Sequence, residues 1–350
     1  PYYIIITDDY NSIKRYDFIK TISESSLMLL LKFKNLIPNN IKYLGSGAFY
    51  NTAYYNNDLN WENDILYIGN YLVGAKNDIA GSRTVKNGTK LIANYAFSSC
   101  ESLTDITIPD SVTSIGEGAF YYCTGLTSIT IANSVKSIGE SAFEYCTKLT
   151  DIKIPNSVTD IADKTFKECT ALTKLTIPNG VKSIGKYAFA WVENQKEIVI
   201  PDSVASLGVG AFYGCNIERL KLPNQLQEIS DECFLFNQIE ELVIPSSVRR
   251  IGNEVFRGAF FDKVIIPEGV ESIGFDAFEF LEEIELPSTL KEIAPDFYYE
   301  EVVDDSTHPP YITISKNNPK YYAKDGTLYF KSNNQKALDS KYNGIVNNNN

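Results

Sequence analysis

The chain predicts a solenoid of short parallel strands, and three recurrences carry that prediction. Phe97, Phe120, Phe143, Phe166, Phe189 and Phe212 fall 23 residues apart, Phe234, Phe256 and Phe278 follow at 22, and Phe297 at 19. Eleven residues after each Phe, through most of the run, comes an apolar residue and usually Pro, as in Ile108-Pro109, Ile154-Pro155 and Ile177-Pro178. Farther along sits Ile-Gly or a near equivalent, as in Ile115-Gly116, Ile138-Gly139 and Ile273-Gly274. Self-similarity at one fixed period of this length marks a stacked repeat array. With the earlier unit Ile37-Pro38 to Phe49, eleven Phe-anchored units are present, ten of them contiguous.

Each part of the unit has a physical role. Leu172–Pro178 reads LTKLTIP, alternating apolar and polar residues with the period of a half-buried strand. The Pro removes a backbone donor and ends the strand. Val135, Ile138 and their equivalents supply a second inward set, and the Gly marks a tight turn. Ala-Phe then places a large ring beside a small residue in the interior. A unit this short cannot bury all these faces alone, so its neighbours must stack on it and share one core.

The consensus LxxIxIPxxVxxIGxxAFxxCxxL resembles the BspA-like leucine-rich repeats, over about Leu36 to Phe297 with an interruption at 51–82. The resemblance implies a leucine-rich-repeat solenoid: parallel short strands in a curved right-handed array, with short helical or 3-10 turns, hairpin insertions and terminal caps. It also implies surface or secreted binding proteins of host-associated bacteria and some protists. The late units depart from the pattern: they shorten, Ile217 and Ile239 replace the leading Leu, and the Cys column ends at Cys215.

The organisation that follows is an N-terminal cap (1–35), a first repeat (36–50), an insertion (51–82), the contiguous array (83–300), a C-terminal cap (301–342) and a disordered Asn-rich tail (343–350). Within 16–34, Phe18, Ile19, Ile22, Leu27, Leu30 and Leu31 suit a capping helix, with a degenerate first repeat as the rival. Ile65–Ala75 alternates around Gly69-Asn70, and Tyr321–Phe330 around Asp325-Gly326; both predict hairpins. Hairpins and caps serve the solenoid ends, whose cores are otherwise open.

Cys100, Cys123, Cys146, Cys169 and Cys215 all lie three residues after the anchor Phe and so form one column. A nucleophilic thiol needs a base or another feature that makes thiolate, and no His lies near. A zinc site needs ligands converging on a point, whereas a column spreads them along a line. Disulfides between equivalent positions are disfavoured because parallel side chains hold their Cβ atoms beyond the usual ~3.8 Å. Val192, Ala259 and Leu281 occupy the same column, so the position reads as a slot for a modest hydrophobe, a role free Cys fills. Cys233 replaces the small Ala before Phe234.

Two surface columns are candidates for partner binding. The outward strand positions include Asp105 and Thr107, Ser128 and Thr130, Asp151 and Lys153, Lys174 and Thr176, then Glu197, Arg219 and Lys221. Val199, Glu241, Val243, Lys263, Ile265, Glu283 and Glu285 continue this face, which is Thr-rich early and charged late. Either it is ordinary solvated strand, or it meets a partner. The second column, two residues after Phe, holds Tyr122, Tyr145, Trp191, Phe236, Phe280 and Tyr299, with Glu168, Gly214 and Gly258 between them. Aromatic residues are enriched at binding hot spots, and they also stack on one another as plain packing.

Composition narrows the function. A net charge of −12 without a Lys/Arg cluster argues against nucleic acid. No run approaches the ~18 apolar residues of a membrane span; Leu27–Leu31 stops at Lys32. The one His, His308, sits in the loop THPPY, and Asp304-Asp305 are adjacent without a partner group. No catalytic, metal-binding or cofactor-binding constellation emerges. Asn87-Gly88-Thr89 matches a glycosylation sequon, a weak signal alone. The chain opens on Pro1, which leaves room for a removed secretion signal. The leading expectation is a monomeric, non-enzymatic adhesion protein, extracellular or at the cell surface, with a protein or cell-surface ligand. The rivals are an intracellular interaction scaffold and an accessory domain of a larger secreted protein.

The cysteine argument predicts that all 6 thiols are reduced and mostly protected. Thiol titration before and after denaturation checks this; fewer than the full number after denaturation contradicts it.

Overall fold

The computed structural model describes residues 6–7, 43–44, 54–299 and 310–337. The expected N-terminal cap helix, most of the first repeat, His308, Asp304-Asp305 and the Asn-rich tail lie outside the described residues. The chain forms two compact units, Pro1–Gly180 and Val181–Asn350, and each is a stack of short parallel strands.

In the first unit, Gly81–Thr84, Leu103–Ile108, Ser128–Ile131 and Asp151–Ile152 form one parallel sheet in that order. Its register follows the repeat: Asp105 pairs with Ser128, Ile106 with Ile129 and Thr107 with Thr130. Ile129 and Ile131 are buried while Ser128 and Thr130 are exposed, as period-two patterning requires. A second sheet carries the Ile-Gly strands: Leu91–Ile92, Ser114–Ile115 and Ser137–Ile138 pair in parallel. Between the two strands of each turn, the Pro carbonyl accepts the N–H of Val three residues on, as in Val112 to Pro109 (3.0 Å) and Val158 to Pro155 (3.0 Å).

The insertion joins this second sheet. Ile65–Ile68 and Tyr71–Ala75 form the hairpin expected around Gly69-Asn70, and the second strand then pairs in parallel with Leu91–Ile92. The hairpin thereby continues the stack by one rung.

The Ala-Phe segment is not helical, contrary to the expectation of helical or 3-10 turns. Among the described residues the one helical element is a 3-10 turn at Asp58–Asn60, in the insertion. The reason lies in where the N–H groups point. Tyr95, Phe97 and Ser99 donate to Glu117, Ala119 and Tyr121 of the next unit (2.8 Å each), while Ala96, Ser98 and Cys100 donate three residues back (3.1–3.3 Å). A helix would direct every N–H along its own axis; here alternate donors leave the unit. The alternation is made by left-handed residues on both sides of Phe, for example Tyr95 (φ 56°) and Ser99 (φ 60°), or Gly118 (φ 53°) and Tyr122 (φ 59°).

The Phe side chains stack down the core. In the first unit Phe97, Phe120, Phe143 and Phe166 lie 5.0, 5.3 and 5.5 Å apart, with ring planes within 8° of parallel. In the second unit Phe189, Phe212, Phe234, Phe256 and Phe278 continue the pattern at 5.3–5.8 Å. Centroids this far apart with parallel planes are offset stacks, the favoured arrangement. All of these rings are fully buried.

Polar columns lace the rungs together. Thr127, Thr150 and Thr173 hydroxyls donate to the carbonyls of Thr104, Thr127 and Thr150 (3.1–3.3 Å). Ser134 Oγ donates to the Val112 carbonyl at 2.7 Å, and Ser203 and Ser247 repeat this in the second unit.

The second unit shows why the period drops to 22. In the longer repeats, Leu126, Leu149 and Leu172 donate back to Cys123, Cys146 and Cys169 across a tight turn (3.0 Å). Ile217 lies only two residues after Cys215, so that turn is gone. Its N–H is satisfied instead by Asn237 Oδ1 at 2.9 Å, and Asn237 Nδ2 donates to the carbonyls of Phe212 (2.8 Å) and Phe234 (2.9 Å). At the far end, Tyr311–Ile314 adds in parallel to Leu281–Leu286, and Tyr321–Lys324 pairs with Thr327–Phe330 as the expected hairpin. Buried Asn318 closes the last turn, donating to the carbonyls of Pro287 (3.2 Å) and Leu290 (2.9 Å) and accepting from Tyr321 N–H (2.8 Å).

Asn237→Leu, close in volume, strands a buried N–H and two carbonyls. It is expected to destabilise the protein by about 2–4 kcal/mol, more than Cys146→Val, which removes one weak donor. Urea denaturation of both variants checks the ranking.

Candidate functional site

The outward strand positions lie where the sequence places them, and the two units differ in their chemistry. In the first unit, Asp105, Ser128 and Asp151 are in register, and Asp151 bridges to Lys174. Thr107, Thr130, Lys153 and Thr176 are exposed beside them. Asp105 is half-buried; hydrogen bonds from Ser128 (2.5 Å) and Thr104 (2.8 Å) hold its carboxyl below the usual carboxylate range. This face is rich in hydroxyls, and several of its polar groups are already paired.

In the second unit, Glu197 and Arg219 pair at 3.4 Å in register, and Lys221 stands beside Val199. Lys263 bridges Glu283 (3.0 Å) and Glu285 (2.5 Å). Exposed ion pairs of this kind contribute little to stability. The more informative side chains are apolar: Val199, Val243 and Ile265 are 50%, 76% and 58% exposed. All three occupy the same outward position of their units, where the strand pattern permits any residue. Alternation in the sequence identified them as outward, but their significance emerges only from the register that places them in one row.

The aromatic column belongs to the turn segment. Tyr122, Tyr145, Trp191, Phe236 and Phe280 all have left-handed backbones (φ 44–62°), as do Glu168 and Gly214 at the same position. That shared conformation explains the irregular composition: the position selects for a turn, and the side chain is free to vary. Tyr122 is 42% exposed and packs against Tyr145 at 5.9 Å. Trp191 packs edge-on to Tyr213 at 5.2 Å and Tyr213 to Phe236 at 5.5 Å. Tyr121 and Tyr213, one residue after Phe, complete these clusters, and sequence reasoning passed over both. A Cβ on Gly214 would lie 2.6 Å from the Trp191 ring. Gly one unit after an aromatic residue is the sequence signal for such a seat. In each unit the arrangement is a half-exposed cluster with internal packing.

The thiol column is structural, with a polar element that a hydrophobe slot does not supply. Sγ of Cys123, Cys146 and Cys169 donates to the carbonyls of Phe97, Phe120 and Phe143 (3.0–3.2 Å), and Cys215 to Phe189 at 3.0 Å. Asn237 fills the same slot and makes the same bond to Phe212. All 6 cysteines are free and buried. Burial pushes the thiols of Cys100 and Cys215 up to about 12 and those of Cys123 and Cys146 well above the usual range.

A cleft of about 670 Å³ lies in the insertion, lined by Glu62, Asp64, Tyr67, Arg83 and Lys86 among others. Its charges are matched: Lys86 pairs with Glu62 at 2.8 Å and Arg83 with Asp64 at 3.7 Å. Thr89 of the sequon is 2% exposed. Among the described residues, no group of three or more His, Cys, Asp or Glu is placed to hold a metal ion, and no helix is long and apolar enough to cross a membrane.

Stacked parallel strands, an Ile-Gly second sheet and a Phe-centred turn define a leucine-rich-repeat solenoid. The profile of the BspA type leucine-rich repeat region matches residues 3–80, 76–194 and 182–304, and the chain belongs to that family. A leucine-rich repeat protein from Bacteroides ovatus is 31% identical, with 54% of this chain and 59% of that chain covered and a TM-score of 0.44. This chain thus spans about three fifths of that one. A leucine rich cell surface protein from Faecalibacterium prausnitzii is 22% identical over 73% of this chain and 94% of that one (TM-score 0.38). The pneumococcal vaccine antigen PcpA is 21% identical over 73% and 81% respectively (TM-score 0.48). No curated protein matches the chain.

The thiols impose a pH dependence. A thiol in the unfolded chain ionises near 9.0, whereas in the folded protein Cys100 and Cys215 stay protonated to about 12. The folded state therefore binds more protons in that window, and its stability falls as pH rises through it. Urea midpoints are expected to hold up to about pH 9 and drop above it, with a shallower drop in a Cys123→Val, Cys146→Val double variant.

Proposed function

We propose that this protein is a non-enzymatic binding protein, extracellular or at the cell surface, that meets a protein or cell-surface ligand through its outward strand positions. Membership of the BspA type family supports a binding role and a surface location. The observation that carries the reading is the row of exposed Val199, Val243 and Ile265 on a strand face that neither packing nor turn geometry constrains. Half to three quarters of each side chain is in water, so a partner that covers it recovers about that share of the ~1.5–3 kcal/mol of full burial. The flanking charges orient the partner and exclude wrong ones. Binding then arises from many weak contacts presented in register by the stacked strands of a unit.

Purified protein tested against immobilised host extracellular-matrix proteins and cell-wall material is expected to bind at least one at micromolar concentration. Val243→Asp is expected to weaken that binding about tenfold or more with an unchanged melting curve, since the side chain is exposed. No retention of any ligand at about 10 μM, or full retention by the variant, overturns the proposal.

A further inference from the structure

The strand face of the second unit has a chemistry specific enough to name its occupant. Two neighbouring rows run across the strands. Strand pairing sets Val199, Lys221 and Val243 in one and Glu197, Arg219 and Glu241 in the other, and pairs Lys263 with Glu283; the 22-residue repeat places Ile265 and Lys263 at the same positions of the next unit. Arg219 and Lys263 are taken up by Glu197, Glu283 and Glu285. Glu240, Glu241, Asp262 and Glu282 are exposed on the same strands, and no described cation pairs with them. Three exposed apolar side chains, with Lys221 between the first two, therefore lie on a face whose carboxylates outnumber the described cations that could pair with them.

We infer that this face binds a basic amphipathic helix of a partner protein, laid across the strands with its apolar stripe on Val199, Val243 and Ile265. The inference rests on the binding role proposed above and adds the chemistry of the partner. Spacing favours a helix over an extended segment. Adjacent rungs lie ~4.8 Å apart, so Val243 and Ile265 are one step apart and Val199 and Val243 two steps, ~10 Å. Helical residues rise ~1.5 Å each, so i and i+3 are ~4.5 Å apart along the axis and i and i+7 ~10.5 Å. An extended chain places same-side residues at multiples of ~6.7 Å, out of step with the rungs. Taken in succession these spacings put the anchors for Ile265, Val243 and Val199 at i, i+3 and i+10, all on one face of the helix, and such periodic anchors are how faces that take helices read them. Lys or Arg along one flank of the helix would meet Glu240, Glu241, Asp262 and Glu282, while Lys221 and Lys263 disfavour an acidic one.

The test uses the full chain and a fluorescent synthetic peptide of about 20 residues, long enough for a helix, with Leu at i, i+3 and i+10 and Lys along one flank. Controls are a scrambled peptide of the same composition and a version with Glu for Lys. Fluorescence anisotropy is expected to give micromolar binding that weakens about tenfold for the scrambled peptide and is absent for the acidic one. Val243→Ser with Ile265→Ser, and separately Glu240→Lys with Glu241→Lys, are each expected to weaken it about tenfold, the latter also flattening its salt dependence. Circular dichroism confirms that the variants fold.

Equal binding of the scrambled peptide, indifference to the face variants, or no binding up to about 1 mM overturns the inference. If the peptide fails while Val243→Asp still abolishes binding of a matrix or cell-wall ligand, the helix alone is refuted and the broader binding role stands.

Discussion

In the turns around Phe97, Phe120, Phe143, Phe189, Phe212 and Phe234, successive N–H groups point alternately within their own unit and out to the next one. Tyr95, Phe97 and Ser99 donate forward, while Ala96, Ser98 and Cys100 donate back. Each unit thus leaves half of this segment's donors to be met by a neighbour, and a buried unpaired N–H is costly. Stacking follows from that incompleteness as much as from apolar burial. The left-handed residues at both sides of Phe are what produce the alternation, at an energetic cost for every non-glycine residue placed there.

The polar columns share this logic. Thr and Ser hydroxyls and Cys thiols donate to carbonyls of the preceding unit; the Thr104 and Phe120 carbonyls accept a backbone N–H as well, on their other lone pair. Where one residue is lost from the turn after Cys215, the exposed need of Ile217 N–H is met by Asn237 from the next unit. Asn318 plays a similar part in the turn after Leu286, donating to the carbonyls of Pro287 and Leu290. A side-chain amide is suited to both places because it donates and accepts at once.

The outward strand positions stand apart from these demands. Their side chains reach no neighbouring carbonyl that requires a donor and no cavity that requires filling, so their composition is open to a partner's requirements. The hydroxyl-rich face of the first unit and the acidic-apolar face of the second are two outcomes on one backbone plan.

The strands, the interior columns, the hairpins at Ile65–Ala75 and Tyr321–Phe330 and the free state of the cysteines were legible in the sequence, because each depends on local periodicity or on a residue type recurring at one position. The outward positions were legible as positions. The non-helical turn was not, since short apolar and small residues suit a helix locally and only the neighbour's carbonyls redirect the N–H groups. Nor was the thiol's role as a donor, or Asn237's equivalence to it, because a hydrogen bond spanning 25 or 26 residues has no local trace. The aromatic column read as irregular because side-chain identity varies while the left-handed backbone is constant. Which residues face inward is readable from the chain alone, because burial follows a period that any strand must obey. Which outward residues stand in one row is set by the fold, because the pairing register makes neighbours of residues a full repeat apart along the chain.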